Sequence, residues 1–304
     1  MRTSPIILNP ALLDAARRRR SAGESLRALA GELGVTWQKL DKAIRHGMRD
    51  TGHARHATTF PGATEAASKA VLETTTDPRK GPLPLVAKYR PRTLAGIWGQ
   101  PRVVAALRRF AQAPCSMAFL FEGETGVGKT TAALALAREL GCDVDADEWG
   151  GVWELASGEQ SADAVREMAR RMHLRPGSGS GWKVVIVNEC DRMCRPAEVI
   201  WLDLLEHLPR QTVVVFTTND PSLLAARFRD RCARVEFRSN AAYMAAPARD
   251  FLLEIWQAET GEAPDRLAVE RMVLGIVQGG NVSVRRAVQA LGAALLARKE
   301  GGGS

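Results

Sequence analysis

Eight consecutive residues, Gly123-Glu124-Thr125-Gly126-Val127-Gly128-Lys129-Thr130, satisfy the pattern G-x-x-x-x-G-K-[ST] at every fixed position. Glycines at these spacings let backbone N–H groups turn inward on a triphosphate, and a helix starting at the end of the loop adds its partial positive charge. Lys129 would reach the β- and γ-phosphates, and the Thr130 hydroxyl would ligate Mg²⁺. Thr131 follows as the next residue able to face the nucleotide. The chemistry indicated is binding of ATP with Mg²⁺; the competing explanation is a glycine turn that arose by chance.

The flanking elements favour the first. The run Ser116-Met117-Ala118-Phe119-Leu120-Phe121 predicts a buried strand before the loop, and 130–137, rich in Ala and Leu, predicts a helix after it. Strand, glycine loop and helix is the arrangement in which such a pattern works. From about residue 83 to 238 the chain alternates strand-like and helix-like stretches, and it then turns helical to about 298. That order predicts an α/β fold with a parallel sheet covered on both faces. Four segments result: a small all-α unit at 1–48, a flexible linker at 49–82, an α/β core at 83–238 and a helical domain at 239–300.

No apolar run approaches the ~20 residues of a membrane helix, and the N-terminus lacks the apolar core of a signal peptide. The five cysteines are scattered. They suggest neither a disulfide framework nor a zinc knuckle, so a cytoplasmic location without membrane partners is expected. The net charge of +8 is uneven: residues 1–82 hold 14 Lys/Arg against 8 Asp/Glu, and so carry +6 of it. Such concentration suits a nucleic-acid-binding module. Within it Asn9-Pro10, Ser25 and Thr36 read as helix starts and Gly34 as a tight turn, with Leu29, Ala30, Leu33, Val35, Leu40 and Ile44 forming a core. The last helix would expose Trp37, Gln38, Lys39, Lys42 and Arg45 to the phosphates and base edges of DNA. The stretch resembles the helix-turn-helix of recombinase- and regulator-type DNA-binding domains; a three-helix protein-interaction module is the alternative.

The segment Ala87-Lys88-Tyr89-Arg90-Pro91-Arg92-Thr93-Leu94, followed by Ile97-Trp98-Gly99-Gln100, resembles the opening of the AAA+ module of sliding-clamp loaders, of both the replication factor C and bacterial tau/gamma types. The resemblance covers about 84–298 and extends to Glu154-Leu155-Ala156-Ser157-Gly158, to Val184-Val185-Ile186-Val187-Asn188-Glu189 at the Walker B position, to Asn219 at sensor 1, and to Arg229-Asp230-Arg231-Cys232. It implies a P-loop AAA+ sheet with a helical lid, an adenine pocket lined by Tyr89, Arg90 and Pro91, and Arg231 as an arginine finger acting in a neighbouring subunit. It further implies that Glu189 orients or deprotonates the attacking water and that Asn219 holds that water or the γ-phosphate. Gly280-Asn281-Val282-Ser283-Val284-Arg285-Arg286 resembles the sensor 2 segment, with Ser283-Val284 as an insertion. Arg285 is its best candidate to touch the γ-phosphate, and Arg286 the alternative.

Asn188 stands where most P-loop ATPases place the Walker B Asp, which carries a negative charge to the metal; some clamp-loader subunits have a similar Asn-Glu-Ala run and tend to be weak or silent hydrolysers. An amide there predicts that ATP binding survives and hydrolysis is slow, and that Asn188→Asp raises turnover; Asp191, three residues on, is another source of charge. The resemblance implies DNA, a sliding clamp or other clamp-loader subunits as partners, in a nucleotide-dependent homo- or hetero-oligomer. The family's helical collar and four-cysteine zinc insert have no counterpart in this sequence, which leaves a ring without its usual brace. Three functions remain open: a clamp-loader-like ATPase acting on DNA, a DNA-binding regulator or adaptor switched by nucleotide, and a transposition-type targeting ATPase.

Overall fold

The computed structural model describes residues 83–146 and 149–301. The expected helix-turn-helix, with Trp37, Gln38, Lys39, Lys42 and Arg45, and the expected linker lie outside the described residues.

Five strands form one parallel sheet: β1 (Met117–Glu122), β2 (Val152–Leu155), β3 (Lys183–Val187), β4 (Thr212–Thr218) and β5 (Ala233–Glu236), in the order β2-β3-β4-β1-β5. The helices are α1 (Leu85–Lys88), α2 (Pro101–Gln112), α3 (Lys129–Glu139), α4 (Ala162–His173), α5 (Arg195–Glu206), α6 (Ala226–Arg229), α7 (Ala241–Thr260), α8 (Arg266–Gly275) and α9 (Val284–Gly301). Parallel strands need such crossovers, and with both faces covered the inner strands become continuous apolar runs. β3 and β4 are buried throughout. Their side chains divide by the period of two: Val184, Ile186, Val213 and Val215 enter one core with α3, while Val185, Val187, Val214 and Phe216 enter the other with Trp201 of α5.

β1 begins one residue later than its sequence suggests and runs on to Glu122. The Ser116 hydroxyl instead closes the turn below the sheet, donating to the Pro209 carbonyl at 2.8 Å. Glu122 stays in the strand, 7 % exposed, because Arg234 of β5 grips its carboxylate through two hydrogen bonds of 2.6 and 2.8 Å.

A third core belongs to the C-terminal helices. Phe251, Leu252, Ile255 and Trp256 of α7 pack with Val269, Val273 and Leu291, and Tyr89 from the start of the described chain joins them. Trp98 stacks on Phe251 with ring centroids 4.6 Å apart. The segment around 85–98 is therefore a strap between the helical domain and the sheet.

Register decides what meets at the sheet's upper edge. Glu122 is level with Thr218, and Val187 with Phe216. The glycine loop after β1, Asn219 after β4 and Asn188-Glu189 after β3 thus emerge side by side at the carboxyl ends of the strands, where open α/β sheets bind ligands.

Candidate nucleotide site

The loop between β1 and α3 uses its glycines as required. Gly126 and Gly128 lie at φ +84 and +103, a region that disfavours residues with a Cβ. Open space lies beside Gly128, whereas a Cβ at Gly126 would strike Ser283 Oγ and come within 3.2 Å of Arg285 Cβ. α3 starts at Lys129, with Gly128 as its N-cap.

Lys129 is 9 % exposed. Its Nζ donates to the carbonyls of Gly123 at 2.6 Å and Glu124 at 2.9 Å, and to Asn219 Oδ1 at 2.9 Å. Burial pushes its ammonium down to about 8; Asp191, Glu189 and Glu124 pull upward against this, and Arg285 adds to the fall. The amine is thus held by neutral acceptors at the mouth of the loop, poised for an anion.

Thr130 Oγ1 donates to Asn188 Oδ1 at 2.8 Å, and Thr217 Oγ1 donates to the same oxygen at 3.4 Å. Asn188 Nδ2 donates to Glu154 Oε2 at 3.2 Å, and Gln160 Nε2 donates to the Asn188 carbonyl. Hard oxygen donors of this kind fit Mg²⁺, which takes one or two protein ligands and completes its shell with phosphates and water. Among the described residues no group of three or more His, Cys, Asp or Glu could hold a metal, so phosphates would bring most of the ion's negative charge.

Glu189 follows with φ 51, left-handed for a residue that is not glycine. Its amide donates to Thr217 Oγ1 at 3.1 Å, and its carboxylate pairs with Arg192 at 3.5 Å. Asp191 turns toward the sheet, accepting from Thr218 Oγ1 at 2.7 Å, and its field reaches Lys129.

The helical domain closes over the loop. Asn281 Nδ2 donates to Glu124 Oε1 at 3.1 Å, and the Arg285 amide donates to the Gly126 carbonyl at 3.3 Å. Arg285 lines the cleft, whereas Arg286 is turned back onto Gln278 Oε1. The cleft holds about 590 Å³ between Tyr89, Arg90 and Pro91 on one side, Gly126 to Gly128 and Thr131 beneath, and Phe251, Val284 and Val288 opposite. That is the volume of a small-molecule site. Arg90 Nε donates to Thr131 Oγ1 at 3.2 Å. Tyr89 presents only its ring face to the cleft, since its hydroxyl donates to Glu259 Oε1 at 2.7 Å, where Lys88 Nζ also lies at 2.7 Å.

Arg231 is not brought to this cleft. It lies two residues before Ala233, which is level with Phe119, so it sits at the sheet edge opposite the glycine loop. Arg231 pairs with Glu206 and donates to the Arg227 carbonyl at 2.8 Å.

Glu154 and Asn281 entered the sequence reading only as members of family-like segments, without a role, and Gln160, Thr217 and Thr218 were missed. The two threonines carried a signal, as polar residues ending an apolar strand. For Glu154 and Gln160 nothing local signalled their partner, because Asn188 is distant in the chain.

Residues 119–240 match the model of the AAA family, ATPase family associated with various cellular activities. The chain's sequence relatives include subunits of replication factor C. Over 160 residues the chain is 30% identical to the replication factor C small subunit of Methanoregula boonei, covering 50% of this chain and 47% of that protein. Over 170 residues it is 32% identical to replication factor C subunit 3 of Saccharomyces cerevisiae, covering 55% of this chain and 49% of that one. The chain spans about half the length of the curated relatives it matches. Among solved structures, a mutant form of Thermotoga maritima RuvB shares the fold with a TM-score of 0.53 at 17% identity, over 69% of this chain and 68% of that one. Among the described residues no helix is long and apolar enough to cross a membrane.

Proposed function

We propose that this chain is an ATP-binding, clamp-loader-like AAA+ protein that acts on DNA in replication, repair or mobile-element maintenance, and that it hydrolyses ATP slowly. The reading is supported by what meets at the glycine loop: Lys129 bonds Asn219, Thr130 bonds Asn188, and Arg285 lines the adjoining cleft while the helical domain rests on Gly126 and Glu124. In it Gly123 to Thr131 cradle the phosphates, Thr130 and Asn188 face Mg²⁺, and Tyr89, Arg90 and Pro91 flank the base. Glu189 positions water, Asn219 and Arg285 sense the γ-phosphate, and Arg231 serves a neighbouring subunit.

A second reading, a DNA-binding regulator or adaptor switched by nucleotide, is favoured by two features of the same site. Asn188 is neutral, and Glu189 is engaged by Arg192. Both weaken activation of water without weakening the phosphate cradle.

ATPase rates with and without duplex DNA, run beside native mass measurement in ATP, separate the two. Turnover stimulated by DNA in an oligomer supports the loader-like machine. A monomer that binds ATP tightly without turnover supports the switch.

A further inference from the structure

The Asn188 side chain is an amide with a donor end and an acceptor end, and its two ends meet different neighbours. Thr130 and Thr217 offer hydroxyls at 2.8 and 3.4 Å from Oδ1, and a hydroxyl can donate or accept. They do not decide which way the amide points. Glu154 does. An ionised carboxylate only accepts, so at 3.2 Å it requires the Nδ2 end and sends Oδ1 toward Thr130.

Glu154 stands on β2, the edge strand beside β3, level with Ile186 and exposed. Its charge also acts on Arg90, which burial otherwise lowers. One carboxylate is therefore bonded to the amide at the Walker B position, and its charge reaches a guanidinium at the cleft wall.

Resting on the proposed Mg²⁺-ATP site, we infer that Glu154 is a positioning residue which fixes the Asn188 amide with its oxygen toward the metal and supplies from the neighbouring strand the negative charge that Asn188 lacks. The two positions form an exchanged pair, with the acid on β2 and the amide at the end of β3. This alters the expectation for Asn188→Asp. Restoring the aspartate alone would set two carboxylates face to face across the distance now spanned by a hydrogen bond, and their repulsion would turn the new carboxylate out of the position that Oδ1 now holds. The gain should come only when the charge at 154 is removed at the same time.

The test is Mn²⁺ binding to the ATP complex, followed by electron paramagnetic resonance, for wild type, Glu154→Gln, Asn188→Asp and the double variant. ATP affinity in EDTA is measured for each as a check on fold and cradle. Glu154→Gln should weaken Mn²⁺ by about tenfold, the scale of lost outer-shell support, with ATP affinity in EDTA unchanged. Asn188→Asp should stay within about twofold of wild type, and the double variant should bind Mn²⁺ at least as tightly as wild type. Unchanged Mn²⁺ affinity in Glu154→Gln, or Asn188→Asp alone matching a tightened double variant, would overturn the inference while leaving ATP binding intact. A wild type that binds no ATP in EDTA or with metal would overturn the functional reading and this inference with it.

Discussion

Lys129 is a buried ammonium that, among the described residues, has no carboxylate in hydrogen-bonding contact, and that sets its pH behaviour. The fold holds it at about 8, below the ordinary lysine value of 10.5. The folded state therefore disfavours its charged form. That penalty on stability is present below pH 8 and is relieved as pH rises from 8 toward 10.5. Binding runs the other way. A triphosphate favours the ammonium and draws a proton onto it, so ATP affinity should fall as pH climbs through 8. Calorimetry in buffers of different ionisation enthalpy should then find about half a proton taken up per ATP at pH 8. No uptake at pH 8 would mean that Lys129 is already fully charged before ATP arrives, or does not meet the phosphates. Lys129 and Thr130 were legible at this scale because their pattern is local. The orientation of Asn188 was not, because it depends on Glu154, 34 residues earlier in the chain.

At the scale of elements, β3 and β4 could be read as apolar runs because both of their faces are buried. The end of β1 could not: a glutamate belongs in that strand only because Arg234, 112 residues away, neutralises it. The contact between the helical domain and the loop was equally hidden. Ser283-Val284 read as an insertion of no stated purpose, and the structure seats Ser283 against Gly126, beside the bond from Asn281 to Glu124. Gly126→Ala should therefore act on two elements together. Its Cβ would strain a loop held at φ +84 and push Ser283 and Arg285 away. A cost of ~1–3 kcal/mol for a residue forced into such a conformation should appear as a lowered melting temperature. Faster protease cleavage of the 276–284 segment should accompany it. A variant with the wild-type melting temperature and cleavage rate would show that the loop and the helical domain are not in contact in solution.

At the scale of the whole molecule, Arg231 lies at the far edge of the sheet, paired with Glu206, and is too distant to serve its own cleft. If it serves a neighbour's, Lys129→Ala and Arg231→Ala should each be inactive alone yet regain about a quarter of wild-type turnover when mixed, since only pairings with both residues intact at one interface work. A mixture no more active than either variant would remove Arg231 from the reaction. The concentrated positive charge of residues 1–82 belongs to this scale too, as the proposed means of reaching DNA. It was legible from composition alone, whereas the pairing of Arg231 with Glu206 required the folded chain.

Above all, the glycine loop with Lys129 and the cleft beside it are proposed to bind ATP. Isothermal titration calorimetry of the full chain with ATP and Mg²⁺ tests this most directly, with Lys129→Ala as the comparison. The account predicts one site per chain and binding weakened at least tenfold in the variant, the scale of one lost charge-assisted contact. No binding heat from the wild type, or equal affinity in both proteins, would contradict it.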